Sequence, residues 1–367
     1  RTAVRPHEME AHMDVKIANR LIGKNHPTYF IADIAANHDG DIERAKELIR
    51  LAKEAGADAA KFQNFKAKKI VSDYGFKSMG GQVSHQASWK KSVFDVYQAA
   101  EVPLNWTSEL AEECNEVGIE YFSSPYDFEA ADMLYDYMPA YKAGSGLISW
   151  PDFLVYMAKK GKPMLIATGA SDIGDVTRAV RAVQAVNEQI ILFQCNTNYT
   201  ASDENYDHLN LNVLKTYQTM FPGMVLGLSD HTHSPAPVVG AVAMGARVIE
   251  RHFTNSNERE GPDHKFAMNP DTWAEMVHQV RTLERSLGSS DKFVTPNEKE
   301  TYMLQRRCLR AARDIKAGEV FTAEMVEPLR PAVPGALMAW DTEAVIGKKA
   351  LVDMPYGKEL RWVNLSE

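Results

Sequence analysis

The sequence Gly-Leu-Ser-Asp-His-Thr at 227–232 is followed, after a run of small residues, by Val-Ile-Glu-Arg-His-Phe-Thr at 248–254. In each motif, apolar residues lead into a histidine that has polar neighbours. The intervening residues 235–245 are rich in Ala, Val and Gly, which is typical of a tightly packed crossover helix. The pattern predicts a strand–helix–strand unit with His231 and His252 at corresponding ends of two parallel strands.

The two histidines, His231 and His252, form a candidate metal pair. Neighbouring parallel strands lie about 5 Å apart, so side chains at corresponding strand ends can share one ion. Neutral imidazoles suit borderline divalent cations. Either histidine alone is more often an ordinary polar residue at a strand end. Their matching positions, with Gly-Pro-Asp-His following at 261–264, favour a metal site.

The alternation of strand and helix extends over most of the chain. Short β-rich runs occur at 29–35, 59–63, 119–124, 140–144, 163–168, 190–195, 224–229 and 247–252. Helical patterns occur at 42–55, 106–117, 128–137, 151–160, 173–186, 209–220, 235–245 and 270–287. Eight such units in succession predict an α/β fold, the (β/α)8 TIM barrel. An open doubly wound sheet is the alternative, but it needs a glycine-rich first turn, and Asn37-His38-Asp39-Gly40 is not of the GxGxxG type.

Polar side chains follow almost every apolar run. In a TIM barrel the active site lies at the C-terminal ends of the strands. The polar residues at these positions are Asp33, Lys61, Gln63, Ser123, Ser124, Lys142, Ser145, Thr168, Asn196, Thr197, Ser229, His231 and His252. Each one alone is compatible with a solvated strand end, but their repetition predicts one polar site.

The chain divides into a large domain and a small one. Residues 1–12 are polar and patternless, and His12-Met13 resembles a cloning junction, so we expect an added tail there. Residues 13–288 contain the barrel, with a short hairpin near the start that caps one end of it. After a linker at 289–305, short strands and turns with Gly and Pro at 306–367 predict a small β-rich domain.

A long loop at 64–90 follows the second predicted strand and contains several lysines and His85. Loops of this length without regular structure often cover an active site. A poorly ordered surface loop is an equal alternative.

Composition excludes several classes of protein. The 367 residues are 45 % hydrophobic and 25 % charged, with a net charge of -8, which argues against nucleic acid or an anionic membrane as the main partner. We find no apolar stretch of transmembrane length and no signal peptide. Cys114, Cys195 and Cys308 are far apart and form no CxxC motif, so we expect a reducing, cytoplasmic location.

The order of the motifs resembles that of the sialic acid synthases, the phosphoenolpyruvate-dependent nonulosonic acid synthases. The motifs are Ala32-Asp33-Ile34, Asn37-His38-Asp39-Gly40, Lys61-Phe62-Gln63, Ser123-Ser124-Pro125-Tyr126-Asp127, Lys142-Ala143-Gly144-Ser145, Ala167-Thr168-Gly169, Leu228-Ser229-Asp230-His231-Thr232, Glu250-Arg251-His252-Phe253-Thr254 and Gly261-Pro262-Asp263-His264. The C-terminal segment, with Asp314-Ile315-Lys316-Ala317-Gly318-Glu319 and Arg330-Pro331, resembles the antifreeze-like (SAF) domain of that family. The resemblance covers nearly the whole chain from about residue 13.

The resemblance implies a condensation. Phosphoenolpyruvate would add through C3 to the aldehyde of an open-chain N-acetylated amino sugar such as N-acetylmannosamine, water would attack C2, and phosphate would leave by C–O cleavage. Lys61 and Lys142 would supply positive charge for the trianionic substrate. Hydrogen bonds would come from Ser124, Ser145 and Ser229. A divalent metal on His231 and His252 would polarise the aldehyde; manganese is typical of the family, and magnesium, cobalt or zinc remain open.

The remaining site residues are carried over from the same resemblance. Asp33 stands where the family usually has a catalytic Glu, and its shorter side chain sets the carboxylate about 1.5 Å back. Asp263 is the second catalytic carboxylate. Gln63, Thr197 and Tyr199 would contact substrate. Arg330 matches an arginine that reaches from the SAF domain into the barrel of a partner subunit, which implies a domain-swapped homodimer.

Three further departures from the family pattern lie near the same pocket. Ala167 replaces a common Ser, Thr197 replaces Asn or Ser, and Asn198-Tyr199-Thr200-Ala201 replaces a Tyr-Pro pair. They indicate a divergent member whose acceptor is a modified aldose, with pseudaminic and legionaminic acid precursors among the options. The alternatives are a synthase of a related 3-deoxy-ulosonic acid that uses another aldose or a phosphosugar, and a catalytically weak sugar-binding homologue of the spore-coat type.

Overall fold

The computed structural model describes residues 13–82, 86–87 and 89–367. The predicted tail at 1–12 and His85 lie outside these ranges. The described chain divides into two compact units, with the boundary between Gly288 and Ser289. Each unit is described separately below.

The first unit contains ten strands and eleven helices among its described residues. The strands are β1 (Val15–Ile17), β2 (Arg20–Ile22), β3 (Tyr29–Asp33), β4 (Ala59–Asn64), β5 (Glu120–Pro125), β6 (Tyr141–Ala143), β7 (Met164–Ala167), β8 (Ile190–Cys195), β9 (Val225–Asp230) and β10 (Ala246–His252). The helices are α1 (Ile42–Glu54), α2 (Ala67–Ile70), α3 (Asp73–Ser78), α4 (Val93–Ala99), α5 (Trp106–Val117), α6 (Phe128–Met133), α7 (Pro151–Ala158), α8 (Ile173–Gln184), α9 (Val213–Met220), α10 (Ala236–Ala243) and α11 (Pro270–Leu287).

Eight of these strands form a nearly closed parallel barrel, which confirms the predicted fold. The hydrogen-bonded order is β5-β4-β3-β10-β9-β8-β7-β6, and the two outer strands, β5 and β6, lie side by side. Helix α1 illustrates why the helices cover the sheet. The Asp41 side chain caps its first turn, and one face buries Ala45, Leu48, Ile49 and Ala52.

The antiparallel hairpin β1–β2 closes the N-terminal end of the barrel, as predicted. Its apolar residues Val15, Ile17 and Ile22 are buried in one cluster with interior barrel side chains such as Tyr29 and Val225. The polar site therefore lies only at the opposite end, where the strands finish.

The alternation of side chains along each strand positions the site. On β10, Val248 packs in the barrel interior, and Ile249 packs in the cluster between the sheet and the helices. Side chains alternate between the two faces along the strand. The side chains of Glu250 and His252 therefore point inward, and that of Arg251 points outward.

The segment after β4 differs from the prediction of a long loop without regular structure. It contains the helices α2 and α3, and α4 follows just beyond it. Ser72 caps α3, and Ser92 caps α4. Their hydroxyls accept hydrogen bonds from the amides of Gly75 and Asp95, respectively, both at 3.1 Å. The irregular-loop prediction is therefore wrong for the described part of this segment.

The second unit has its own small core. It contains β11 (Cys308–Ala311), β12 (Val326–Leu329), α12 (Lys299–Gln305) and α13 (Thr342–Val345). The two strands pair antiparallel, and their cluster includes Leu309, Phe321 and Leu360. Helix α12 lies within the stretch that was predicted to be a linker.

No helix in the described ranges is long and apolar enough to cross a membrane.

Close packing inside the barrel predicts that Gly227 tolerates no side chain. A Cβ there would lie 2.7 Å from Phe193 Cδ1 and 2.7 Å from the Val248 carbonyl oxygen. We expect Gly227→Ala to destabilise the protein by about 1–3 kcal/mol and to lower the thermal midpoint by several degrees. Gly146→Ala is the control, because nothing lies within 4 Å of its Cβ position. Equal midpoints for the two variants in thermal unfolding would contradict the prediction.

Candidate active site

A cavity of about 440 Å³ opens at the C-terminal ends of the barrel strands. The structure brings twelve of the predicted site residues of the barrel to its wall. These residues are Asp33, Lys61, Gln63, Ser124, Lys142, Ser145, Thr197, Tyr199, Ser229, His231, His252 and Asp263.

The end of β3 and the neighbouring strand β4 supply a buried ion pair. Strand register aligns Asp33 with Lys61, and Lys61 Nζ lies 2.6 Å from Asp33 Oδ2. Gln63 donates a longer hydrogen bond of 3.3 Å to the same oxygen. Burial alone would lower the pKa of Lys61, but the carboxylates of Asp33 and Glu250 outweigh burial and raise it. Lys61 is therefore a fixed positive charge in the cavity wall.

Glu250 is a central site residue that the sequence analysis missed. Its Oε1 lies 3.3 Å from Lys142 Nζ and accepts a 3.0 Å hydrogen bond from the Ser229 hydroxyl. Its Oε2 lies 3.9 Å from Lys61 Nζ. Burial raises the pKa of Glu250, but Lys142, Lys61 and Ser229 outweigh it and lower the pKa to about 2. The available signal was its position two residues before His252, on the same face of β10.

Two lysines and two carboxylates thus form one buried cluster. Asp33, Lys61, Lys142 and Glu250 are each at most 5 % exposed. Buried charges persist only when they are paired and hydrogen-bonded, so the net charge of this cluster is close to zero.

The two histidines lie next to each other on adjacent strands, as predicted. Their ring centroids are 5.3 Å apart. His231 Nδ1 lies 2.8 Å from the Asn196 carbonyl oxygen, so this nitrogen carries the proton and Nε2 keeps its lone pair. Burial, with a contribution from His252, lowers the pKa of His231 to about 4, and burial also lowers that of His252. Both rings are therefore neutral at pH 7, which is the form that binds metals.

His252 has carboxylates on both sides. Its Nε2 lies 3.7 Å from Asp33 Oδ2, and its Nδ1 lies 3.9 Å from Asp263 Oδ2. Nδ1 is buried and makes no hydrogen bond within the described chain. In those same ranges no three His, Cys, Asp or Glu side chains converge on one ion position. The donor set therefore fits a metal that takes two imidazoles from the protein and its other ligands from water or substrate.

The other end of the cavity is aromatic. Tyr199 packs edge-on to His231, with 4.5 Å between the ring centroids. A further wall, which the sequence analysis did not predict, is formed by Phe65, Trp89, Tyr97 and Tyr126. Most of it comes from the segment after β4. Asp263 lies beside this wall, and its Oδ2 accepts a 3.2 Å hydrogen bond from the Ala36 amide.

Some polar residues at strand ends stabilise the barrel instead of lining the cavity. Ser123 donates to Asn64 Oδ1 at 2.6 Å, and Thr168 donates to the Phe193 carbonyl oxygen at 2.8 Å. Neither lines the cavity, so their inclusion in the predicted ring is wrong. Both residues occupy outward-facing positions in the alternation of side chains along the strand.

Arg330 belongs to the second unit. It follows β12 directly and is exposed there.

Comparisons with known proteins agree with this geometry. A model of the NeuB family matches residues 48–292, and a model of the SAF domain matches residues 306–366. N-acetylneuraminate-9-phosphate synthase of Homo sapiens is 33 % identical over 334 residues, which cover 91 % of this chain and 91 % of that protein. N,N'-diacetyllegionaminic acid synthase of Legionella pneumophila is 32 % identical over 349 residues, which cover 94 % of this chain and 96 % of that protein.

A solved structure shows the same architecture. Spore coat polysaccharide biosynthesis protein SpsE from Bacillus subtilis superposes with a TM-score of 0.64 at 32 % identity, over 97 % of this chain and 99 % of that one. The family models cover most of the barrel and most of the second unit. The chain therefore belongs to the NeuB family of sialic acid synthases and carries a C-terminal SAF domain.

Proposed function

We propose that the protein condenses phosphoenolpyruvate with the aldehyde of an open-chain N-acetylated amino sugar, giving a nonulosonic acid and inorganic phosphate. The observation that carries this proposal is the pair of buried lysines, Lys61 and Lys142, in one cavity with two neutral histidines. The names of the relatives, which include sialic and legionaminic acid synthases, support the same reaction class.

The lysine end of the cavity suits phosphoenolpyruvate. This substrate carries a phosphate and a carboxylate, and ammonium groups bind both as compact charges. Hydroxyl donors from Ser124, Ser145 and Ser229 line the same cavity. The lysines are already charged and held in place by Asp33 and Glu250, so little reorganisation precedes binding.

The reaction balances without any further reagent. The C2–C3 π electrons of phosphoenolpyruvate form the bond from C3 to the aldehyde carbon, and the aldehyde oxygen takes up a proton. Water adds to C2 and loses a proton, and cleavage of the C2–O bond then releases phosphate and leaves a 2-keto acid. Asp33 and Asp263 lie on opposite sides of His252 and are the groups that would hold or transfer these protons.

A divalent metal would be held by His231 and His252 and would act as a Lewis acid on the aldehyde. Manganese is our first choice, although two imidazoles also suit cobalt or zinc. The depressed pKa values of both rings and the unpartnered Nδ1 of His252 support this part of the proposal.

The mouth of the cavity favours an acceptor without a phosphate group. Two lysines of the segment after β4 are already paired with carboxylates: Lys66 Nζ lies 3.1 Å from Glu101, and Lys69 Nζ lies 2.8 Å from Glu129. The aromatic wall offers apolar surface, which suits acetamido methyl groups or deoxy positions of a sugar. A phosphosugar would instead need free cations there.

We also propose a homodimer in which Arg330 of one subunit completes the site of the other. This part rests on the family resemblance of the second unit.

The acceptor class can be tested by phosphate release from phosphoenolpyruvate with manganese and a panel of aldoses. We expect release with N-acetylmannosamine or with diacetamido-trideoxy hexoses, and none with N-acetylmannosamine 6-phosphate. Lys69→Met should leave the acceptor KM unchanged, because Lys69 faces carboxylates. Turnover with a phosphosugar alone would contradict the proposed acceptor, and no release with any aldose would favour the sugar-binding alternative.

Removing one buried lysine should affect phosphoenolpyruvate selectively. Lys142→Met deletes a charged contact and leaves Glu250 with Lys61 as its only cation within 4 Å in the described chain. We expect the KM for phosphoenolpyruvate to rise roughly 10- to 100-fold, from loss of a charge-assisted interaction. Lys69→Met at the mouth is the matched control. If folded Lys142→Met has an unchanged KM for phosphoenolpyruvate, Lys142 does not bind this substrate.

Metal removal provides an independent test. Chelator-treated protein should lose phosphate release and regain it with manganese, because the aldehyde needs a Lewis acid. His252→Ala should bind manganese at least about tenfold more weakly by calorimetry, because it loses one of two protein ligands. His233→Ala is the control, since this nearby histidine is exposed. Full activity and unchanged metal affinity of His252→Ala would rule out the histidine pair as the metal site.

A further inference from the structure

Asp263 lies within the irregular segment between β10 and α11, and a buried histidine anchors that segment. His264 is the residue after Asp263 and is fully buried. Its Nε2 lies 3.0 Å from Asp39 Oδ1, and its Nδ1 lies 2.7 Å from the Thr254 hydroxyl. Both ring nitrogens of His264 therefore have a hydrogen-bond partner.

Asp39 joins three parts of the barrel top. Besides His264, it accepts hydrogen bonds from Arg44 at 2.7 Å and from Arg259 at 3.2 Å. Arg44 lies on α1, and Arg259 lies within the same irregular segment as Asp263. Asp39 itself sits in a left-handed turn, with φ of 51° followed by Gly40 at 74°. Asp and Gly are residues that tolerate this conformation, so the turn aims the carboxylate at the segment.

The backbone of the segment closes tightly over the His264 ring. A Cβ at Gly261 would lie 2.6 Å from His264 Cδ2. The turn before Asp263 therefore rests directly on the imidazole. The second link is the hydrogen bond from the Ala36 amide to Asp263. Two loops, one after β3 and one after β10, are thus joined at both His264 and Asp263.

We infer that Asp39, acting through His264, is a positioning residue that fixes the Asp263 carboxylate at the cavity wall. The inference rests on the proposed function in one respect, that Asp263 serves the acceptor. Asp39 does not line the cavity, so its effect on Asp263 passes through the segment that contains His264. Displacement of a reacting group by about 1 Å can cost on the order of 100-fold in rate, so such an anchor matters for turnover.

The chain offers a matched control at the other end of the barrel. Asp58 also pairs with an arginine, Arg20, and accepts a hydrogen bond from the Phe30 amide at 2.8 Å. The Asp58 side chain is 20 % exposed and that of Asp39 is 26 % exposed. Loss of either carboxylate removes a partly buried ion pair, but only Asp39 is connected to Asp263.

The kinetic test compares Asp39→Ala, Asp39→Asn and Asp58→Ala in the full chain, with phosphoenolpyruvate and the best aldose. For Asp39→Ala we expect kcat over the acceptor KM to fall at least about tenfold, while the phosphoenolpyruvate KM changes less than about twofold. Asp39→Asn should recover part of the loss, because its amide oxygen still accepts from His264. Asp58→Ala should leave both kcat over the acceptor KM and the phosphoenolpyruvate KM unchanged. An equal loss for both substrates in Asp39→Ala would mean a general structural role and would overturn the inference.

Hydrogen exchange gives a readout that needs no activity. The Ala36 amide donates to Asp263, so its exchange should accelerate in Asp39→Ala and stay unchanged in Asp58→Ala. Thr254→Val removes the other partner of His264 without altering residues 36–39, and it should accelerate the same amide. If the Ala36 amide exchanges faster only in Asp39→Ala, or in neither Asp39→Ala nor Thr254→Val, the route through His264 is overturned. If the wild-type protein turns over no aldose, the proposed function fails, whereas exchange still decides this inference.

Discussion

The rest of the site depends on the buried cluster of Asp33, Lys61, Glu250 and Lys142. Each of these charges would be costly to bury alone, and each is paired with an opposite charge in the cluster. The barrel supplies the rigid strands that hold the four groups within 4 Å of their partners. Asp33 and Glu250 outweigh burial and raise the pKa of Lys61, and Glu250 also lies 3.3 Å from Lys142 Nζ, so both lysine side chains are held in the cavity wall. The same dependence makes removal of one member a change in both folding and binding.

Strand alternation explains why so much chemistry fits into so few residues. On β9 and β10 the inward positions are Ser229, Glu250 and His252, whereas Asp230 and Arg251 face outward. The outward pair is also buried, with Arg251 Nε 3.5 Å from Asp230 Oδ2. The strands are therefore held from outside by one ion pair while the inner face carries the site. A shift of register by one residue would exchange these two sets, so the register is strongly specified.

The sequence was sufficient to predict the barrel strands and most inward residues, because strand periodicity and strand ends are local signals. Glu250 was missed because only the histidine of its motif was considered as a site residue. The pairing of Glu250 with Lys142 is visible only in three dimensions. The aromatic wall was missed for a similar reason. Phe65 and Tyr126 are far apart in sequence, and their ring centroids come within 5.9 Å only in the folded chain. The caps at Ser72 and Ser92 were local signals that could have predicted the helices there.

Asp33 shows how one departure from the family pattern acts on the cavity. Its carboxylate is bound to Lys61 at 2.6 Å and accepts a 3.1 Å hydrogen bond from the Ala35 amide, so it is held against the wall. A glutamate at this position would extend about 1.5 Å further towards His252. The aspartate thus keeps the charge balance of the buried cluster and leaves more room beside the histidines. In the proposed reaction, that room would lie where the aldehyde binds.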